Sequence, residues 1–175
     1  MPKNFLKIAI AGIGTVGSGL LKLLKKNNFK VKTNIKINIS AIASRRKINF
    51  KGPIYKRTRF FSDANKLMEF DDYDVLIELI GGQDGVAKKI VFDALKKKKH
   101  VVTANKALVS KYWDELKILS KKNNCFIKYE AAVAGGVPIL TVIEDFLISN
   151  KIKKVYGILN GTSNFILTKM LANNQ

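Results

Sequence analysis

"KIAIAGIGTVGSGLLKLL", residues 7–24, decides the fold. Residues 7–14 form a short apolar run, as a buried strand requires. Val16, Leu20, Leu21 and Leu24 then recur at helical spacing, predicting a helix over 15–28. Between the two lies Gly12-Ile13-Gly14-Thr15-Val16-Gly17, a GxGxxG pattern at a strand-to-helix junction. Gly12 suits a tight turn, Gly14 leaves room for a pyrophosphate against the backbone, and Gly17 lets helix and strand pack closely. The first turn of the helix offers unpaired N–H groups to phosphate. Alone the pattern is weak, and a purely structural glycine turn is the alternative. Its weight comes from the order of elements in the rest of the chain.

Strand-like and helix-like segments alternate after residue 28. "KINISAIAS" (36–44), "DVLIELI" (74–80, buried apart from Glu78 at its end), "HVVTA" (100–104) and "CFIKYEA" (125–131) read as strands. "SDANKLMEF" (62–70, with Ser62 as cap), "GVAKKIVFDALKKKK" (85–99) and "KALVSKYWDELKILSKKNN" (106–124) read as helices. Residues 45–61 are the least regular stretch and read as a loop. Alternation of this kind predicts an α/β fold, a Rossmann-like doubly wound parallel sheet with helices on both faces. Ligands of such sheets lie beyond the C-terminal strand ends, where the strand order reverses.

Composition narrows the class. The 175 residues are 47% hydrophobic with 12 glycines and three prolines, an ordinary globular balance. No apolar run approaches the ~20 residues of a membrane helix. The N-terminus passes into a strand without a cleavable leader pattern, and a lone cysteine, Cys125, fits a reducing compartment; both point to the cytoplasm. Cys125 has no nearby histidine in the sequence to make it a nucleophile. His100, at the start of a strand among lysines, reads as structural.

The net charge is +19, and only Arg45, Arg46, Arg57 and Arg59 among the 32 Lys+Arg are arginines. The lysines gather at helix ends, where cations suit the dipole, and are not interleaved with aromatics. Asn (15) and Ile (20) are abundant as well, the pattern of an AT-rich coding bias. Nucleic acid is therefore a disfavoured partner, though a polyanion-binding surface stays open as the second reading.

Strand two ends in Ala43-Ser44-Arg45-Arg46, with no carboxylate to bind a ribose 2′-hydroxyl. Guanidinium groups there would receive a 2′-phosphate, so NADP(H) is expected in preference to NAD(H). The plainer alternative is two exposed arginines in a basic loop.

"ELIGG" (78–82), "HVVTANKALVS" (100–110), "YEAAVAGGVPIL" (129–140) and "GILNGTSNFILTKM" (157–170) resemble homoserine dehydrogenase in order and spacing, over nearly the whole chain. The resemblance implies NAD(P)H-dependent reduction of L-aspartate 4-semialdehyde to L-homoserine, on the route to threonine and methionine. It implies a domain over 1–131 and the beginning of a second, α+β catalytic and dimerisation domain over 132–175. A homodimer is expected of the full-length form. It also implies that the second catalytic lysine and the acids that hold the substrate's amino group lie beyond residue 175. The chain is thus expected to be a fragment that binds the coenzyme without turning over substrate.

Lys106 follows the fourth of these strands, where a nicotinamide would sit. An ammonium there would stabilise a developing alkoxide and donate its proton; the resemblance makes Lys106 one of two lysines bracketing the reacting carbon. Gly81 and Thr103 join the coenzyme contacts on the same ground. Glu130 precedes a turn in which Gly135 and Gly136 free the backbone, a composition suited to a hard cation. By resemblance a sodium ion would take Glu130, Val133, Gly135 and Val137, the last three through carbonyls; a carboxylate bonded to N–H groups is the alternative. A strand over 151–160 and a helix capped by Thr162 would bring Gly161 and Thr162 to the substrate, with capping alone as the alternative. Phe165 stands where the family often has tyrosine. The rival functions are another Rossmann oxidoreductase, such as aspartate-semialdehyde dehydrogenase, and a non-catalytic binding domain.

Overall fold

The computed structural model describes residues 5–25, 36–46, 50–158 and 160–173. Residues 26–28, which end the first helix as read from the sequence, fall outside the described residues, as do residues 47–49 of the basic loop. Six strands form one parallel sheet: β1 (Phe5–Ala11), β2 (Lys36–Ala43), β3 (Arg59–Phe61), β4 (Val75–Glu78), β5 (His100–Thr103) and β6 (Ile127–Lys128). Their order is β3-β2-β1-β4-β5-β6. The helices are α1 (Thr15–Lys25), α2 (Val86–Lys96), α3 (Lys106–Lys122), α4 (Ile139–Thr141) and α5 (Gly161–Ala172). The strand order runs outward from β1 in both directions, so the switch point lies between β1 and β4.

The two faces of the sheet differ in a way the alternation along β1 already sets. Ile8 and Ile10 point to one side and join Ile39, Ile42, Leu21 and Leu24 in a core under α1. Ala9 and Ala11 point to the other and meet Leu76, Ile90, Val91, Leu108 and Leu116 under α2 and α3. Small residues on one side let those helices sit close. Each fully buried isoleucine or leucine contributes roughly 1.5–3 kcal/mol of hydrophobic stabilisation.

Four expectations change. The basic stretch 45–61 contains β3, a three-residue edge strand that pairs with β2 through Arg59, Phe60 and Phe61; its charged, short sequence carries no alternation to read. The helix expected over 62–70 is a 3-10 helix, Ala64–Glu69, and its cap is Asp63, not Ser62. The strand expected at 125–131 shrinks to Ile127–Lys128. Residues 151–158 form no strand. A strand needs a neighbour to take up its N–H and C=O groups, and none of the described residues offers one there.

Candidate dinucleotide site

The carboxyl ends of the inner strands are drawn together by their own backbone. Gly12 N–H donates to Ala43 O at 2.9 Å, Leu79 N–H to Ala11 O at 2.7 Å, and Ser44 N–H to Phe61 O at 2.9 Å. Above these ends opens a cleft of about 580 Å³. Its lining includes Gly12, Ile13, Gly14, Ala43, Ser44, Arg45, Arg46 and Gly81.

The glycines fit the roles their spacing implies. Gly12 has φ +100°, and a Cβ there would lie 2.6 Å from Leu79 O. A Cβ on Gly17 would lie 2.3 Å from Gly12 O, inside any van der Waals contact. Gly14, by contrast, has nothing within 4 Å of where its Cβ would be. Gly14 also lines the cleft, so its backbone stands open to a pyrophosphate. Thr15 and Val16 are exposed at the first turn of α1, whose free N–H groups face the same end of the sheet. Arg45 and Arg46 are exposed on the loop after β2, and Arg46 N–H donates to Ser44 Oγ at 3.2 Å. The residues present therefore fit a dinucleotide.

Thr103 and Lys106 do not line this cleft. Thr103 is fully buried beneath it. Lys106 is exposed as the first residue of α3, and among the described residues its ammonium has no hydrogen bond or ion pair. The cap of α3 is Asn105, whose Oδ1 accepts from Leu108 N–H at 3.1 Å. Its Nδ2 donates to Gly82 O at 2.6 Å, joining the loop after β4 to the loop after β5.

Glu130 spends its carboxylate locally. Oε1 accepts from Leu140 N–H at 2.9 Å, and Oε2 accepts from Thr141 N–H at 3.1 Å and the Thr141 hydroxyl at 2.9 Å. Desolvation pushes its pKa up, but the Thr141 hydroxyl and the two N–H groups outweigh it and hold the carboxyl below the usual range. Val137 O accepts from Ile139 N–H at 2.8 Å. In this arrangement the oxygens of Glu130 and Val137 accept bonds from the chain's own donors. Gly161 and Thr162 are exposed at the start of α5, away from the cleft lining, and the cap is Asn160, which accepts from Ser163 N–H at 2.9 Å.

Sequence reasoning passed over several residues at the site. Ser62, Asp63, Ala64 and Asp84 line the cleft from the loops after β3 and β4. Asp84 is held below the usual carboxylate range by hydrogen bonds from Lys111 first and Tyr112 second. Nothing in their local pattern marks them. Asn105 had a readable signal, since asparagine just before an apolar helical run is a cap.

Strand order, glycine turn and cleft together define a dinucleotide-binding Rossmann domain. A family profile described as "Homoserine dehydrogenase, NAD binding domain" matches residues 12–130, and a second, "Homoserine dehydrogenase", matches 138–175. The chain belongs to the homoserine dehydrogenase family. It is 38% identical over 173 residues to homoserine dehydrogenase of Bacillus subtilis, covering 95% of this chain and 39% of that protein. It is 40% identical over 167 residues to the enzyme of Neisseria gonorrhoeae, covering 94% and 38%. A homoserine dehydrogenase structure from Thiobacillus denitrificans superposes with TM-score 0.80 at 33% identity, over 95% of this chain and 38% of that one. The chain thus spans about two-fifths of the length of these relatives. Among the described residues no helix is long and apolar enough to cross a membrane.

Proposed function

We propose that this chain forms the coenzyme half of a homoserine dehydrogenase that prefers NADP(H) and interconverts L-aspartate 4-semialdehyde and L-homoserine, in threonine and methionine synthesis. The observation that carries the reading is the cleft at the carboxyl ends of the strands, lined by the Gly12–Gly14 turn and by Arg45 and Arg46. The coenzyme supplies the hydride. Gly12 to Gly17 and the α1 N–H groups hold its pyrophosphate, with Ala43 and Ser44 beside the adenosine ribose. Arg45 and Arg46 take the 2′-phosphate bidentately, as a point charge could not. Lys106 meets the aldehyde oxygen as negative charge develops and gives it a proton. Gly161 and Thr162 are kept as substrate contacts only on family grounds. On family grounds, Glu130 and the carbonyls of Val133, Gly135 and Val137 would hold a sodium ion.

A domain division at 131/132 and a homodimer belong to the same proposal, as does a cytoplasmic site of action. The two separate profile matches, 12–130 and 138–175, support the division. The test is a coenzyme titration. NADPH is expected to bind tighter than NADH, with Arg45→Ala and Arg46→Ala each erasing most of the preference. Tighter binding of NADH by the unaltered chain would end the NADP reading. In an enzyme extending over the relatives' full length, Lys106→Ala is expected to lower homoserine turnover about a hundredfold with coenzyme affinity little changed. Near-normal turnover would remove Lys106 from the chemistry.

A further inference from the structure

Glu78 is a carboxylate where the alternation of β4 asks for an apolar side chain. Its neighbours on the same face belong to the α2–α3 core, and it is completely buried. In register it stands between Ala11 on β1 and Thr103 on β5. A buried carboxylate persists only where donors are arranged around it. Three are present. Oε1 accepts from Ile80 N–H at 2.8 Å and Gly81 N–H at 3.1 Å, both in the loop that walls the cleft. Oε2 accepts from the Thr103 hydroxyl at 2.5 Å. Thr103 Oγ1 in turn accepts from Asn105 N–H at 3.0 Å. Asn105 caps α3 and closes the circuit by donating to Gly82 O. The chain therefore runs from the cleft wall, through two buried side chains, to the first turn of the helix that begins with Lys106.

We propose that Glu78 is a positioning residue, which through Thr103 and Asn105 locks the loop 79–82 and the start of α3 into one rigid frame, so that the nicotinamide half of the coenzyme and Lys106 keep a fixed relation. This rests on the dinucleotide reading. In a doubly wound sheet the glycine turn and the end of β2 hold the pyrophosphate and the phosphorylated ribose, and the ends of β4 and β5 face the other mononucleotide. Glu78 touches neither ligand nor reacting atoms. It acts through the backbone it fixes. The carboxylate collects charge-assisted bonds that a neutral side chain would make more weakly.

Two probes separate positioning from general structural support. NADPH reads the whole cleft, while 2′-phospho-ADP-ribose lacks the nicotinamide and reads only the half built by Gly12–Gly17 and Arg45–Arg46. Glu78→Gln and Thr103→Val, in the 175-residue chain, are expected to raise the NADPH Kd about tenfold. The Kd of 2′-phospho-ADP-ribose is expected to stay within about twofold, and Thr103→Ser, which keeps the hydroxyl, to restore NADPH affinity. Thermal midpoints are recorded beside each titration. If Glu78→Gln does not fold, the Thr103→Val and Thr103→Ser pair decides. Equal weakening of both probes, or of neither, overturns the positioning role while leaving the dinucleotide site standing. Failure of the unaltered chain to bind either probe overturns the dinucleotide reading, and this inference with it.

Discussion

Residues 5–130 and residues 131–173 are both rich in apolar side chains, yet only the first set hides them. Every buried residue among those described lies between Ile8 and Ile127. Beyond that, Phe146 is 75% exposed, Ile148 78% and Leu171 78%. Ile152, Val155 and Ile158 also lie open to solvent. The first region has a sheet to pack against on two faces. In the second, α5 has polar and apolar residues spread around it and touches no core. Hydrophobic composition is not hydrophobic burial: burial needs a surface at the right distance, and the parallel sheet supplies it only to the elements that cross it.

Side-chain truncation breaks or keeps this contrast most directly. Leu76→Ala and Ile90→Ala, both almost fully buried, are expected to cost ~2–5 kcal/mol in urea unfolding. Ile148→Ala and Leu171→Ala are expected to stay within ~0.5 kcal/mol. A large loss from either of the latter would mean that the second region has a core of its own.

The glycine turn sharpens the comparison within the first region. Gly12→Ala forces an L side chain to φ +100° against Leu79 O, with an expected loss of ~1–3 kcal/mol from backbone strain alone. Gly14→Ala meets open space and should leave the thermal midpoint almost unchanged, while weakening NADPH binding in a titration. Equal effects of the two changes on stability would contradict the open cradle over Gly14.

Hydrogen exchange sets the regions against each other without mutation. Amides of β1 and β4 are expected to open only with global unfolding, and amides of α5 by local fraying close to zero free energy. Comparable protection in α5 and β4 would erase the distinction.

The smallest expected effect is electrostatic. Asp84 is held low by Lys111 and Tyr112, so its contribution is present above the unfolded carboxylate pKa, near ~3.9, and disappears as pH falls through the lower folded value. The difference in thermal midpoint between the chain and Asp84→Asn should therefore be largest near neutrality and vanish in strong acid. A difference that grows on acidification would reverse the sign of the assignment.

Much of the fold was legible because its signals are local. Most of strand β1, the glycine turn and most of α1 sit in eighteen consecutive residues, 7–24, and the alternation after them gives the parallel sheet; the family came from the resemblance of the four motifs, not from alternation. β3 was not legible, since a three-residue edge strand among Arg57, Arg59 and Lys56 has no face to show. The site divides the same way. Gly12, Gly14, Arg45 and Arg46 were readable from position along the chain, and they do converge on one cleft. Glu78, read as the one residue of its strand not buried, is in fact completely buried, because its partners Ile80, Gly81 and Thr103 come together only through the β4–β5 register. Thr162 as a cap failed by two residues, since Asn160 offers the same oxygen where the helix begins.

The place of β1 in the sheet has a consequence for the chain as it is made. Hydrogen-bonded on both edges, it pairs with β2 and with β4. The bond from Lys7 N–H to the Asp74 carboxylate spans 67 residues. At ordinary rates of synthesis a ribosome needs roughly 3–13 s to emit that length. Through that interval β1 stays bare on at least one edge: on both until β2 is made, and on one until β4 follows. Such an edge pairs readily with any extended segment nearby, so the nascent chain is at its most vulnerable before the cleft exists, and a chaperone that shields residues 5–11 would act in that window.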